Sequence, residues 1–179
     1  MDPVTGGPVR GATCQGYKDD SCWARGQAWG VYGTAISYRY TRRPEYLDAF
    51  RRVLAYYLER LPEDLVPYWD MTFTSGTEEP RDSSSASIVP AACWSRQVRR
   101  CRRGCRVHEA GRPDAGQRGR ALRRQGRPAG HRLVRHGTYS KKSPYNTCTP
   151  EGVDECVSWG DYFYMEALTR LTKDWELYW

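Results

Sequence analysis

Residues 15–33 read QGYKDDSCWARGQAWGVYG, and this stretch decides how the chain is understood. It sets two tryptophans, an arginine, two glutamines and an Asp-Asp pair directly against a helical pattern. Asp20 or Ser21 is the natural N-cap of a helix predicted over Cys22 to about Tyr40. Gly26, Gly30 and Gly33 follow at helical spacing as a narrow small-residue stripe. Interior helix glycines cost about 1 kcal/mol each relative to alanine, so the stripe predicts close approach of another backbone or of a ligand. Arg25 and Trp29 are four apart and share a face. Indole faces stack on the C–H faces of sugar rings, and a guanidinium grips a carboxylate with two parallel hydrogen bonds. The combination suits an acidic sugar.

Outward from this block, Pro44 suits the first turn of a second helix. Tyr46, Leu47, Phe50, Val53, Leu54, Tyr57, Leu58 and Leu61 then hold the 3.6-residue period of a core-facing stripe. Pro62 to Pro80 reads as a loop, whose Tyr68, Trp69 and Asp70 either rim a site or pack. Asp82 opens a third helix, DSSSASIV, running into Pro90. The last ordered stretch, from His136, leads through a Gly/Pro/Asn/Thr-rich loop into a helix from about Trp159 to Leu171. No strand pattern competes, so the fold class is all-α, paired helices joined by loops. Asp19, Asp20, Asp154 and Glu155 read as helix-start capping acids rather than a catalytic carboxylate pair.

Charge divides the chain. The total is +7, yet residues 94–136 hold 14 Arg, no Lys and two acids, Glu109 and Asp114. That window carries +12 and leaves −5 for the rest. It has no aromatic after Trp94 and no sustained period. It reads as a basic arm for a polyanion, as a flexible insertion, or as GC-rich DNA translated in a shifted frame; the last fits its composition best. The organisation is therefore 1–93, the abnormal segment 94–136, and 137–179 completing the same domain. A nucleic-acid partner is not expected, because the basic character belongs to one window.

Seven cysteines, an odd number without framework spacing, read as reduced thiols. Cys101, Cys105 and His108 hint at zinc, but a fourth ligand at sensible spacing is missing, so no metal and no cofactor is assigned. No apolar run approaches the ~20 residues of a membrane span, and the N-terminus does not resemble a signal peptide. The expected address is cytoplasmic, with no membrane partner.

Three blocks, QGYKDDSCWARGQAWGVYG, LPEDLVPYWDM with PRDSSSAS, and GVDECVSWGDYFYMEAL, resemble the unsaturated glucuronyl hydrolases of glycoside hydrolase family 88. With the helix at 44–61 the resemblance covers roughly 130 of 179 residues, and it is to the C-terminal part of such an enzyme. It implies a partial (α/α)6 barrel of the six-hairpin glycosidase type. It also implies a partner, an oligosaccharide ending in a 4,5-unsaturated uronic acid, and removal of that sugar by hydration of its vinyl ether.

By the same resemblance, Gln15, Trp23, Arg25 and Trp29 line the uronate subsite. Arg25 pairs with the carboxylate, and Trp23 or Trp29 stacks on the ring. Gly11 and Thr13 lie in the bordering loop, and His136 and Ser140 in a second substrate-contacting segment. Cys14 stands where a histidine is common. Tyr145 replaces the lysine of the Ser-x-x-Ser-x-Lys pattern found in members favouring sulfated substrates. The proton-donating aspartate of the family lies upstream of the Gln15 block, so no catalytic residue is assigned here and the chain alone is expected to be inactive. Other readings are an unsaturated rhamnogalacturonyl hydrolase and a non-catalytic basic polyanion-binding protein.

Overall fold

A computed structural model describes residues 1–93 and 133–173. Most of the Arg-rich window, including Cys101, Cys105 and His108, therefore lies outside the described residues. Among the described residues four helices form the body: α1 (Ala24–Thr41), α2 (Pro44–Glu59), α3 (Ser83–Cys93) and α4 (Ser158–Thr172). Among the described residues there is no strand, only three isolated backbone bridges. α1 packs on α2 and on α3, and α3 packs on α4, so the segments before and after the Arg-rich window share one body.

The α1–α2 turn is tight because Arg42 takes the left-handed conformation (φ 59°) and returns its N–H to the Tyr38 carbonyl. Pro44 opens α2 as expected, since the first helical position needs no N–H. Phe50, Leu54 and Tyr57 of α2 are buried against Ala24, Ala28, Val31 and Ala35 of α1 and Ile88, Val89 and Ala92 of α3. Tyr46 leaves the predicted stripe and lies half-buried under Arg43 instead. The small faces of α1 and α3 let the helices approach closely. Ser83, Ser84, Ser85 and Ser87 are all buried, and a Cβ added at Gly160 of α4 would sit 3.5 Å from that of Ser84.

Two expectations are corrected. α1 starts at Ala24, and neither Asp20 nor Ser21 caps it. Residues 17–21 form a turn of their own, in which the Ser21 hydroxyl donates to Asp70 and the Ser21 amide to the Lys18 carbonyl. The first amide of α1, that of Ala24, instead donates to the Trp69 carbonyl. α3 does not stop at Pro90 but continues to Cys93. Pro90 removes the donor that would bond the Ala86 carbonyl, at a cost near 3 kcal/mol. Burial of Val89, Ala91 and Ala92 offsets it.

α4 adds a buried ion pair, Glu166 with Arg170, and the Tyr32 hydroxyl of α1 donates to the same Glu166 oxygen at 2.8 Å. Removing one partner from such a pair strands a charge in the interior. Glu166→Ala is thus expected to cost about 3–5 kcal/mol, read as a lower urea midpoint, with much of the loss recovered in Glu166→Leu/Arg170→Met. A single variant that unfolds at the parental midpoint would show that the pair is not desolvated.

Candidate functional site

The site forms where the first turn of α1 meets the 137–148 loop. Asp70, fully buried, organises the entry. One carboxylate oxygen accepts from the Tyr17 amide at 2.9 Å and the Ser21 hydroxyl at 2.6 Å; the other accepts from the Thr72 amide at 3.0 Å. Met71 donates its amide to the Cys22 carbonyl at 2.8 Å. Asp70 and its neighbours Tyr68 and Trp69 are buried and so pack rather than rim the site. Together these contacts fix the direction in which α1 presents its first residues.

Arg25 is 1% exposed. Its Nη1 donates to the Thr138 carbonyl at 2.9 Å and the Ser84 hydroxyl at 3.2 Å, and its Nη2 to the Tyr139 carbonyl. Asp82 Oδ2 lies 3.6 Å from Nη1. Four rings surround the guanidinium: Trp23 and Trp159 at 4.7 and 5.0 Å, Trp29 and Tyr139 both at 5.9 Å. An arginine expected to reach a ligand is here enclosed by aromatic faces, an arrangement that suits a planar, weakly hydrated cation.

Burial lowers the proton affinity of Arg25, and Asp82 opposes that. The Asp82 carboxyl is pushed up by burial, against Arg25, the Ser84 hydroxyl and the Thr138 and Ser84 amides. Asp82 also caps α3, accepting from the Ser84 amide at 3.1 Å.

The predicted residues divide into two groups. Gln15, Trp23, Arg25 and Trp29 converge. Gln15 Nε2 donates to the same Tyr139 carbonyl as Arg25, at 3.1 Å. Trp29 is 45% exposed and stands edge-on to Trp23 with ring centroids 5.5 Å apart. Tyr139 beside it is 50% exposed, so these two rings form the open face of the cluster. A Cβ at Gly26 would meet the Trp23 ring at 2.9 Å and one at Gly30 would meet Val53 at 3.2 Å, whereas one at Gly33 would meet nothing within 4 Å. The glycine stripe therefore serves an indole and a neighbouring helix, not a ligand groove.

The others stand outside that convergence. Gly11 is exposed, in open space. Thr13 is held by the Asp19 carboxylate through its amide and accepts from the Gly16 amide. Asp19 also binds Arg10, and Asp20 binds Lys18, so these acids brace the loop instead of capping α1. Ser140 is buried against Gly152. His136 takes a left-handed backbone (φ 64°), as does Asp154 (φ 57°), and its Nδ1 is hydrogen-bonded to the Asp154 carboxylate.

Asp154 therefore orients His136 and does not cap α4, whose N-cap is Val157. Glu155 is likewise taken up by backbone pairing with Gly137. Sequence reasoning missed Asp82 as the partner of Arg25 and missed Thr138, Tyr139 and Trp159. Trp159 sits in a motif already noted, but it lies 19 positions from the nearest predicted site residue, Ser140, and carried no signal. Among the described residues no three His, Cys, Asp or Glu side chains gather as metal ligands do.

No protein-family model matches the chain. An unsaturated chondroitin disaccharide hydrolase from Streptococcus pneumoniae is 42% identical over 197 aligned positions, covering all of this chain and 44% of that protein. The crystal structure of an unsaturated glucuronyl hydrolase from Streptococcus agalactiae superposes with a TM-score of 0.79 at 40% identity, over the whole chain and 44% of its own length. A variant of that enzyme, solved with dGlcA-GalNAc6S, gives 0.74 at 39% identity. The chain spans about half the length of the curated relatives it matches. Its helices are a partial α/α barrel of the kind these proteins share.

The raised Asp82 carboxyl has a defined consequence for stability. The folded state keeps that proton to higher pH than the unfolded chain, whose carboxyl titrates near 3.8. The group's contribution is therefore full below that pH and is lost as pH rises through the folded value. The stability of the parent relative to Asp82→Asn should fall as pH rises from 3 toward 7, measured by urea midpoints; a parent that gains on the variant over that range would mean that pairing with Arg25 outweighs burial.

Proposed function

We propose that this chain, a relative of the unsaturated glucuronyl hydrolases, supplies the sugar-facing half of such an enzyme's site. The observation that carries the reading is the exposed pair of rings, Trp29 and Tyr139, standing over a buried cation held at the start of α1. An unsaturated uronic acid has one flattened ring and one carboxylate. Trp29 stacks on the ring, and Arg25 supplies the positive charge beneath it. A carboxylate reaches the guanidinium by taking over the donors now given to the Tyr139 carbonyl by Arg25 and Gln15. Trp23 backs Trp29, and Thr13 and Gly11 border the loop in front. His136, oriented by Asp154, and Ser140 belong to the second contacting segment.

The reaction proposed for the whole enzyme is hydration of a vinyl ether. A proton is delivered to C4 of the unsaturated sugar, water adds at C5, and the resulting hemiketal collapses to release an open-chain keto acid. This differs from displacement at the anomeric carbon by two carboxylates, and its essential part is a general acid placed at C4. No residue described here is assigned that role. The proposed share of the chain is recognition, and the substrate class is the unsaturated disaccharides left by lyases acting on uronic-acid polymers.

Titration of the chain with an unsaturated uronic-acid disaccharide, followed by tryptophan fluorescence, is expected to show saturable binding without loss of the 4,5-double-bond absorbance. Trp29→Ala should weaken that binding at least ~10-fold, equivalent to about 1.4 kcal/mol, while keeping the parental urea midpoint because the ring is half exposed. Equal binding of the saturated disaccharide, or an unchanged Trp29→Ala, would overturn the assignment.

A further inference from the structure

Cys14 and Cys148 are 134 positions apart, yet the Cys148 thiol donates to the Cys14 carbonyl at 3.0 Å. A carbonyl oxygen is about 2.4 Å from its own Cα by standard bond lengths, which puts Cys148 Sγ within about 5.4 Å of the Cys14 Cα. The two Cα atoms are then at most about 8 Å apart, close to the roughly 4.4–6.8 Å that a disulfide spans. Cys14 is exposed and Cys148 half-buried, so a small oxidant reaches them.

The segments that carry them are already strapped together. Asn146 Nδ2 donates to the Gly16 carbonyl at 2.9 Å, the Ser143 hydroxyl to the Tyr17 carbonyl at 2.6 Å, and Gln15 Nε2 to the Tyr139 carbonyl at 3.1 Å. Two other thiols are poor competitors. Burial pushes Cys22 up to about 11 and Cys93 up to about 12, so both stay protonated and unreactive near neutral pH.

We propose that Cys14 and Cys148 form a redox-sensitive pair, whose oxidation by a hydroperoxide staples the 139–148 loop to the 14–17 loop at the rim of the candidate site. One thiolate attacks the peroxide, taking one oxygen as sulfenic acid and releasing the other as water or an alcohol. The second thiolate then attacks that sulfur; the S–S bond forms, the S–O bond breaks, and the oxygen leaves as water. Two electrons pass from the thiols to the peroxide, and their two protons end on its oxygens. Reduction by a dithiol reverses the staple. This inference rests on the loop geometry alone and holds whatever the site binds.

The test is peptide mapping of the full, reduced chain after one equivalent of hydrogen peroxide and alkylation of the remaining thiols. Trypsin with a glutamate-specific protease yields GATCQGYK (11–18) and SPYNTCTPE (143–151), which separates Cys148 from Cys156. The expected product is the cross-link between these two peptides. It should be reversed by dithiothreitol and absent in both Cys14→Ser and Cys148→Ser. Amide exchange over 139–148 should slow at least ~3-fold in the oxidised chain. Cys14 recovered alkylated, or joined instead to Cys156, Cys101 or Cys105, would overturn the proposal. So would a cross-linked chain whose 139–148 exchange is unchanged.

Discussion

The buried guanidinium of Arg25 is the constraint on which the rest of the site depends. It cannot shed its charge, so the fold must surround it with acceptors and faces drawn from everywhere nearby. Asp82 and Ser84 come from the start of α3, two carbonyls from the 137–148 loop, and indoles from α1 and α4. One side chain thus ties together segments on both sides of the Arg-rich window. Its cost in desolvation is met by hydrogen bonds to the Thr138 and Tyr139 carbonyls and the Ser84 hydroxyl.

A second buried polar residue, Asp70, does for the loops what Arg25 does for the helices. Its carboxylate takes three donors from residues 17, 21 and 72 and so fixes a turn that carries no hydrophobic core of its own. The chain therefore enters α1 from a turn clamped by a carboxylate, and Trp23 and Arg25 emerge at a set angle. The half-exposed rings Trp29 and Tyr139 pack against Trp23 and Trp159, which this framework holds in place, and each keeps about half of its surface open. The same framework brings Cys14 and Cys148 together, since both flank residues that the clamp and the strap hold.

Much of the helical layout was legible because periodicity is a local property. The stripe from Leu47 to Leu61 repeats at 3.6 residues, Pro44 marks a start, and the last helix was placed within a residue at each end. The convergence of Gln15, Trp23, Arg25 and Trp29 was legible too, since they sit within fifteen residues around one helix start. Helix limits set by long-range contacts were not. Ser21 and Asp20 carry the right chemistry for a cap, but Asp70, 49 positions away from Ser21, recruits the serine, and Trp69 takes over the first amide of α1. Pro90 looks like a stop, and only the burial of Ala91 and Ala92 shows why the helix runs through it.

The sequence by itself determined an all-α chain, its helix faces, the uneven charge and the cluster of aromatic and guanidinium side chains at the start of α1. These follow from spacing, propensity and side-chain chemistry, which act over a few residues. Only the tertiary structure decided that Arg25 is enclosed and paired with Asp82, that Asp154 serves His136, that Trp159 and Tyr139 complete the ring of aromatics, and that two distant cysteines meet. Each of those depends on which loops cross the end of α1. That crossing is set by buried polar contacts between residues tens of positions apart, and no local pattern encodes such a pairing.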